Sequence, residues 1–284
     1  MTKTVGIAMM VIGAGWWALA AGAASPSTQP AIQPSTQPAK ELTLDLGNKV
    51  TMKLVLIPAG KFTMGSPETE TGRDSDEGPQ HEVTISKPFY MGVYEVTQEQ
   101  YEQVTGKNPS TFKGAKNPVE SVSWEEAVEF CKKLSAKTGK TVSLPTEAQW
   151  EYACRAGSKT RFGYGNSDAD LGDYAWCTTN SYSKTHPVGE KKANAWGLYD
   201  MHGNVWEWCS DWYQDSYRNL PTSDSTGPST GELRIMRGDG WINPHPLPQF
   251  CRSALRSWSA PDFRNCVIGF RVAVDLPAGQ AGAE

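Results

Sequence analysis

The sequence predicts an α+β fold with an unusually large irregular fraction. Three stretches carry helix start or stop signals, one of them with an apolar face, and an N-terminal stretch alternates apolar and polar residues. In addition, 11 Trp, 27 Gly and 19 Pro among 284 residues describe a loop-rich globule with aromatic anchors rather than a helical bundle.

Taken in order, residues 42–58 alternate Leu42, Leu44, Leu46 and then Val50, Met52, Leu54 and Leu56, which reads as a hairpin closed by Gly47-Asn48. Residues 65–81 are rich in Gly, Pro, Ser, Asp and Glu and read as a surface loop. Val83-Thr84-Ile85 and Phe89-Tyr90-Met91 read as short strands. Thr97 to Thr105 reads as a helix with Thr97 as N-cap and Gln100 at N3. Ser123 to Lys137 is the clearest helix: Ser123 caps it, Glu126 completes a capping box, and Ala127, Phe130, Cys131 and Leu134 form one face. Pro145 to Ala156 reads as a third helix, with Pro145 near its start and Gly157 past its end. Regular elements beyond it are short. Irregular stretches of that length inside one domain point to a functional surface, or to metal or disulfide support.

Residues 1–24 read as a signal peptide: Lys3, an apolar run from Val5 to Ala20, and an A-x-A site at Ala21-Gly22-Ala23. An uncleaved membrane anchor is the alternative. Residues 25–41 repeat Ser-Thr-Gln-Pro at 27–30 and 35–38 and read as an extended linker. The globular domain is expected over 42–275, with a disordered tail at 276–284. The expected location is secreted or periplasmic, with no membrane span after cleavage. The net charge is -4 and there is no basic stripe, so nucleic acid is not an expected partner. Six cysteines in an exported chain favour disulfides. No C-x-x-C occurs, which argues against a zinc ribbon or a thioredoxin-type site. His81, His186, His202 and His245 are scattered rather than spaced as zinc or iron ligands.

The most distinctive segment is W-G-L-Y-D-M-H-G-N-V-W-E-W at 196–208. It has neither a helical nor a strand period, so packing and specific backbone ligation must hold it. Together with L-I-P-A-G-K-F-T-M-G-S at 56–66, Y-E-V-T-Q-E-Q-Y at 94–101, P-V-E-S-V-S-W-E-E-A-V-E-F-C at 118–131, L-P-T-E-A-Q-W-E-Y-A-C-R-A-G at 144–157 and G-F-R-V-A at 269–273, it resembles the formylglycine-generating enzyme (sulfatase-modifying factor) family. The resemblance implies a single irregular α+β domain with a C-type-lectin-like core. It also implies calcium held by the carboxylates of Asp200 and Glu207 and the carbonyls of Gly203 and Val205, a donor set suited to a hard cation. The family's second calcium site falls near Asn180 and the Tyr182 carbonyl, but its earlier ligand segment, Tyr174-Ala175-Trp176-Cys177, lacks the family's Asn.

Catalytic members of the family use a cysteine pair to bind copper(I), a soft ion that thiolates suit, and oxidise a sulfatase cysteine to formylglycine. In this chain those positions fall at Asn243 and Pro248, and neither offers a thiolate. Copper is therefore not expected. Cys251 and Cys266 are the candidates for a rescue with different geometry, and family-like co-occurrence suggests a Cys209–Cys251 disulfide.

Three functions follow. The first is an exported, calcium-stabilised binding or accessory domain without oxidase chemistry, taking a protein or glycan ligand at the cell surface or in the periplasm. The second is a formylglycine-generating oxidase. The third is a retroelement-diversified, lectin-like ligand-binding protein, which the pattern of residues 237–271 also resembles. Trp241, Ile242, Asn243, His245, Leu255, Trp258 and Phe263 are the candidates for the ligand-binding face.

Overall fold

The computed structural model describes residues 40–243 and 248–276. The expected signal peptide, most of the linker, His245 and the tail beyond residue 276 lie outside the described residues. In chain order the strands are β1 (Glu41–Gly47), β2 (Val50–Ile57), β3 (Gly60–Met64), β4 (His81–Ile85), β5 (Phe89–Gly92), β6 (Val142–Ser143), β7 (Trp206–Trp212), β8 (Arg234–Arg237), β9 (Ser257–Ser259), β10 (Ile268–Gly269) and β11 (Ala273–Asp275). The helices are α1 (Gln98–Thr105), α2 (Trp124–Thr138), α3 (Glu147–Arg155) and the single turn α4 (Leu171–Tyr174).

Alternation in the first hairpin does what its period dictates. Leu44, Leu46, Met52 and Leu54 are buried while Thr43, Asp45 and Thr51 face out. The turn sits one residue later than expected. Asn48 (φ 52°) and Lys49 (φ 65°) occupy the two left-handed positions that match strand twist in a two-residue hairpin. Gly47 instead takes the slip in register after Asp45, as a bulge residue does. The hairpin continues into an antiparallel sheet of order β1-β2-β5-β11-β6. A second sheet has order β10-β7-β8-β9, and β3 pairs with β4 alone.

The helices begin where the capping chemistry places them. Thr97 and Ser123 each accept a hydrogen bond from the N3 backbone, and Gln100 and Glu126 answer onto the cap N–H. The third helix is shorter than expected. Thr146 rather than Pro145 starts it, with Gln149 closing the box, and Ala156 in a left-handed conformation ends it. Pro145 precedes the cap, where its missing N–H costs no helical bond.

Among the described residues, two large apolar cores result, with a smaller third cluster around Phe162 and Leu171. One sits between the five-stranded sheet and α1 and α2, around Tyr101, Phe130 and Phe270. The other surrounds α3, with Trp150, Met91, Met201 and Ile235. Residues 65–81 are not only a surface loop: Ser66 and Glu77 are buried, and Glu77 receives Arg252 at 2.6 and 2.7 Å. An acidic loop folds inward here because a guanidinium waits for it.

Candidate functional site

The segment 196–208 is held by side chains from distant elements. Asn194 Oδ1 accepts from the N–H groups of Trp196 and Leu198 at 3.0 and 3.1 Å. Asp200 (φ 59°) and Asn204 (φ 68°) take left-handed conformations. A Cβ on Gly203 would meet the Trp176 carbonyl oxygen at 2.3 Å, so that turn requires glycine. Asn204 Nδ2 and Val205 N donate to the two oxygens of Glu95 at 2.8 and 3.1 Å. Glu207 accepts from Arg271 Nη2 and Nε at 2.6 Å each and from Trp150 Nε1 at 2.8 Å.

The charges at this centre do not balance. Glu95, Asp200 and Glu207 are all buried, and the guanidinium among them is that of Arg271. Burial, then Asp200 and Glu207, push the Glu95 carboxyl well above its ordinary range. Burial lifts Asp200 to about 6. Asp200 Oδ2 accepts from Gly189 N at 2.8 Å, but Oδ1 is buried with no hydrogen-bond partner. An orphaned carboxylate oxygen amid excess negative charge fits a hard cation. Glu207 has three of its roughly four lone-pair positions in use, which leaves room for one more contact. No three His, Cys, Asp or Glu side chains converge on one metal position among the described residues. A cation here would need the Gly203 and Val205 carbonyls as well.

The second candidate calcium position is built differently. Asn180 Oδ1 accepts from Cys177 N at 2.8 Å and its Nδ2 donates to Ala175 O at 2.9 Å, so the amide is spent on closing its own turn. Tyr182 is exposed with φ 55°.

A neighbouring ionic centre, which sequence reading missed, is balanced. Arg237 is fully buried and donates to Glu151, to the carbonyls of Ala254 and Leu255, and to Ser253 O at 3.1 Å. Arg256 reaches Glu147 at 2.7 and 3.1 Å. Burial opposes the charge on Glu147, yet Arg256 and Arg237 hold its pKa below the ordinary value. Gly238 (φ 99°) follows, and a Cβ there would sit 3.0 Å from the Trp150 ring.

The turn after Arg237 carries Asn243 and Pro248, the two positions at which the sequence resemblance set the copper ligands. Asn243 N donates to Thr178 Oγ1 at 2.7 Å, and Asn243 Nδ2 donates to Asp239 Oδ1 at 3.1 Å. Pro248 opens the 3-10 turn Pro248–Cys251. All six cysteines are free thiols, so the expected Cys209–Cys251 disulfide is absent from the structure. Cys209 Sγ instead lies against Glu207 O at 3.9 Å, deep in the second core. Nor does Cys251 turn toward Cys266: its thiol donates to Asp239 Oδ2 at 3.2 Å and packs in one apolar cluster with Cys177. Sequence spacing could not have found Cys177, because the contact is made by folding. The neighbouring Cys251 thiol lowers the Cys177 pKa to about 6, whereas burial raises Asp239 to about 7.

The expected ligand face divides. Trp241 is 6% exposed, donates from Nε1 to Cys266 O at 3.0 Å and meets Phe112 edge-on; Leu255 is 3% exposed. Both belong to the interior, a correction to their expected role, since the return of the chain past Arg237 folds them inward. Ile242, Phe263 and Trp258 remain exposed at 41%, 44% and 46%. Trp258 packs on Tyr213 and borders a cleft of 430 Å³ with Asp74, Asp76, Asp215 and Arg256.

Comparison with known proteins places this architecture. The family described as sulfatase-modifying factor enzyme 1-like domain matches residues 44–276. The chain is similar to the chaperone protein LppX of Paenibacillus barcinonensis, 35% identical over 68% of this chain and 80% of that one. It is also similar to the formylglycine-generating enzyme of Mus musculus, 29% identical over 78% and 75%. Among solved structures, Treponema denticola variable protein 1 superposes with a TM-score of 0.76 at 31% identity, covering 84% of this chain and 100% of that one. PvdO from Pseudomonas aeruginosa gives 0.75 at 35%, covering 83% and 98%. The chain therefore belongs to the sulfatase-modifying factor (formylglycine-generating enzyme) family, with that family's α+β single-domain fold.

Proposed function

We propose that this protein is an exported binding or accessory domain of the family, not a copper-dependent oxidase. The observation that carries the reading is the chemistry of the turn after Arg237. Where catalytic relatives present two thiolates, this chain presents Asn243, whose amide is bonded to Asp239, and Pro248. A carboxamide and an imide ring supply no soft anionic ligand for copper(I). The similarity to a protein named as a chaperone agrees with an accessory role. No described helix is long and apolar enough to cross a membrane; export itself rests on the N-terminal sequence.

Calcium belongs to the same proposal. Asp200 and Glu207, with the carbonyls of Gly203 and Val205, would hold it. The ion would supply the positive charge that the buried carboxylates lack and would fix the 196–208 segment. The ligand, a protein or a glycan, would meet the exposed aromatic side of the cleft at Trp258, where the carboxylates of Asp74, Asp76 and Asp215 suit hydroxyl or cationic groups.

The deciding experiment is oxygen uptake with a cysteine-containing sulfatase peptide after titration with copper(I). No peptide oxidation is expected. Turnover of the peptide to formylglycine would overturn the reading, whatever the copper stoichiometry.

A further inference from the structure

We propose that Cys177 and Cys251 form a redox site: a buried dithiol that closes to a disulfide by exchange with a disulfide-bearing oxidant. The two residues meet from distant parts of the chain. Cys177 follows α4 in a tight turn, where Asn180 and Ser181 donate to its carbonyl at 3.0 and 2.9 Å and its own N–H bonds Asn180 at 2.8 Å. Cys251 ends the 3-10 turn Pro248–Cys251, and its carbonyl meets His202 Nδ1 at 2.8 Å. Both backbones are thus pinned, and the two thiols are packed into one buried apolar cluster with Phe162, Leu171 and Ala175. The other core thiols sit elsewhere: Cys154 lies 3.8 Å from Met201 O and His202 Nε2, Cys209 lies 3.9 Å from Glu207 O, and Cys131 belongs to the core beneath α2.

The surrounding groups suit the exchange. Cys177, the more exposed of the two at 6% against 2%, is the attacking sulfur, and Thr179 Oγ1 stands 3.3 Å from it. Cys177 first loses its proton to solvent, and its thiolate displaces one sulfur of the oxidant, which leaves as a thiolate and takes up a proton from solvent; a mixed disulfide remains on Cys177. Cys251 then gives its proton to Asp239 Oδ2, 3.2 Å away. Its sulfur attacks the Cys177 sulfur and releases the second oxidant thiolate. The dithiol loses two electrons and two protons, and the oxidant disulfide becomes two thiols.

Closure would lock a seam that hydrogen bonds already mark. Thr178 Oγ1 bridges the N–H and carbonyl of Asn243 at 2.7 and 3.3 Å, and Ser181 Oγ donates to Trp241 O at 2.7 Å. The covalent link would tie residues 177–181 to the turn where catalytic relatives place their own chemistry. It does not depend on whether that turn has oxidase activity.

The test uses the full chain, reduced, then exposed to oxidised glutathione at pH 8. The number of alkylatable thiols should fall by two from six, with the intact mass lower by two hydrogens. Peptide mapping should find one linked pair, Cys177 with Cys251, and reductant should restore both thiols and lower the melting temperature. C177S and C251S should each abolish the link, while C209S keeps it. Retention of all six thiols, or a linked pair of any other composition, overturns the proposal. The mapping on the unmutated chain decides the matter even where a serine variant folds poorly.

Discussion

Two buried ionic centres flank Trp150, and they differ in charge balance. In one, Arg237 and Arg256 face Glu147 and Glu151, and the arginines pull Glu147 below its ordinary pKa. In the other, Glu95, Asp200 and Glu207 share Arg271, and Glu95 and Asp200 are pushed upward. Both contain short bonds and full burial. The contrast teaches that burial of charge by itself does not mark a site. A balanced network is satisfied by its own members and holds loops in place, whereas a surplus of one sign calls for a proton or a cation from outside.

The largest expected effect comes from unbalancing the balanced centre. Arg237→Met strips Glu151 of one of its two buried guanidinium partners, leaving Arg155 Nε at 2.8 Å, and frees the carbonyls of Ser253, Ala254 and Leu255. The loss should be about 5 kcal/mol in denaturant unfolding. A loss below ~1 kcal/mol would mean that the network contributes little to holding the 252–256 turn.

The same centre also holds Arg155, paired with Glu151 at 2.8 Å, and a third acid, Asp211, which takes the N–H of Glu147 at 2.9 Å and which burial, then Glu147, raises to about 7. The sign follows from proton binding. With its folded pKa above its unfolded value, Asp211 contributes stability that is full below about 4 and is lost as pH rises through about 7. Asp211→Asn should remove that decline, about 4 kcal/mol between those limits, in unfolding curves recorded across the window. An unchanged pH slope in the variant would show that Asp211 is charged in the fold and that its neighbours neutralise it.

In the unbalanced centre the expected compensation is a cation. With calcium at a hundredfold above its Kd, the native state should gain about 2.7 kcal/mol, seen as a melting temperature that falls on chelation. Asp200→Ala should abolish the chelator effect while leaving the Arg237 centre intact. A melting curve indifferent to chelator in the unmutated chain would remove calcium from this centre and leave protonation of Glu95 and Asp200 as its compensation.

Much of this molecule was legible in residue order. Capping boxes at Thr97 and Ser123 fixed two helix starts because a hydroxyl and a carboxylate or amide three residues apart satisfy each other locally. Alternation fixed the first hairpin but not its turn residues, because Gly47 suits either a turn or a bulge. At the site, Asp200 and Glu207 were visible through the motif at 196–208. Glu95, Glu151 and Arg271 stand inside the quoted motifs and Arg237 opens the 237–271 segment, yet none of the four was assigned. A charged residue inside an apolar motif was the signal available for them.

Trp241 and Leu255 went inward against expectation because an aromatic or aliphatic residue in a loop carries no period to show its side. The cysteines make the same point: an even count suggested pairing, and only the fold brought Cys177 to Cys251. What the sequence by itself determined is local: caps, alternation, the family motifs and the absence of thiols at positions 243 and 248. What the tertiary structure decided is every pairing between distant residues, the balance of buried charge and the meeting of the two thiols. The reason is physical: caps and periods act over a few residues, whereas burial and Coulomb interactions depend on distances that exist only once the chain has folded.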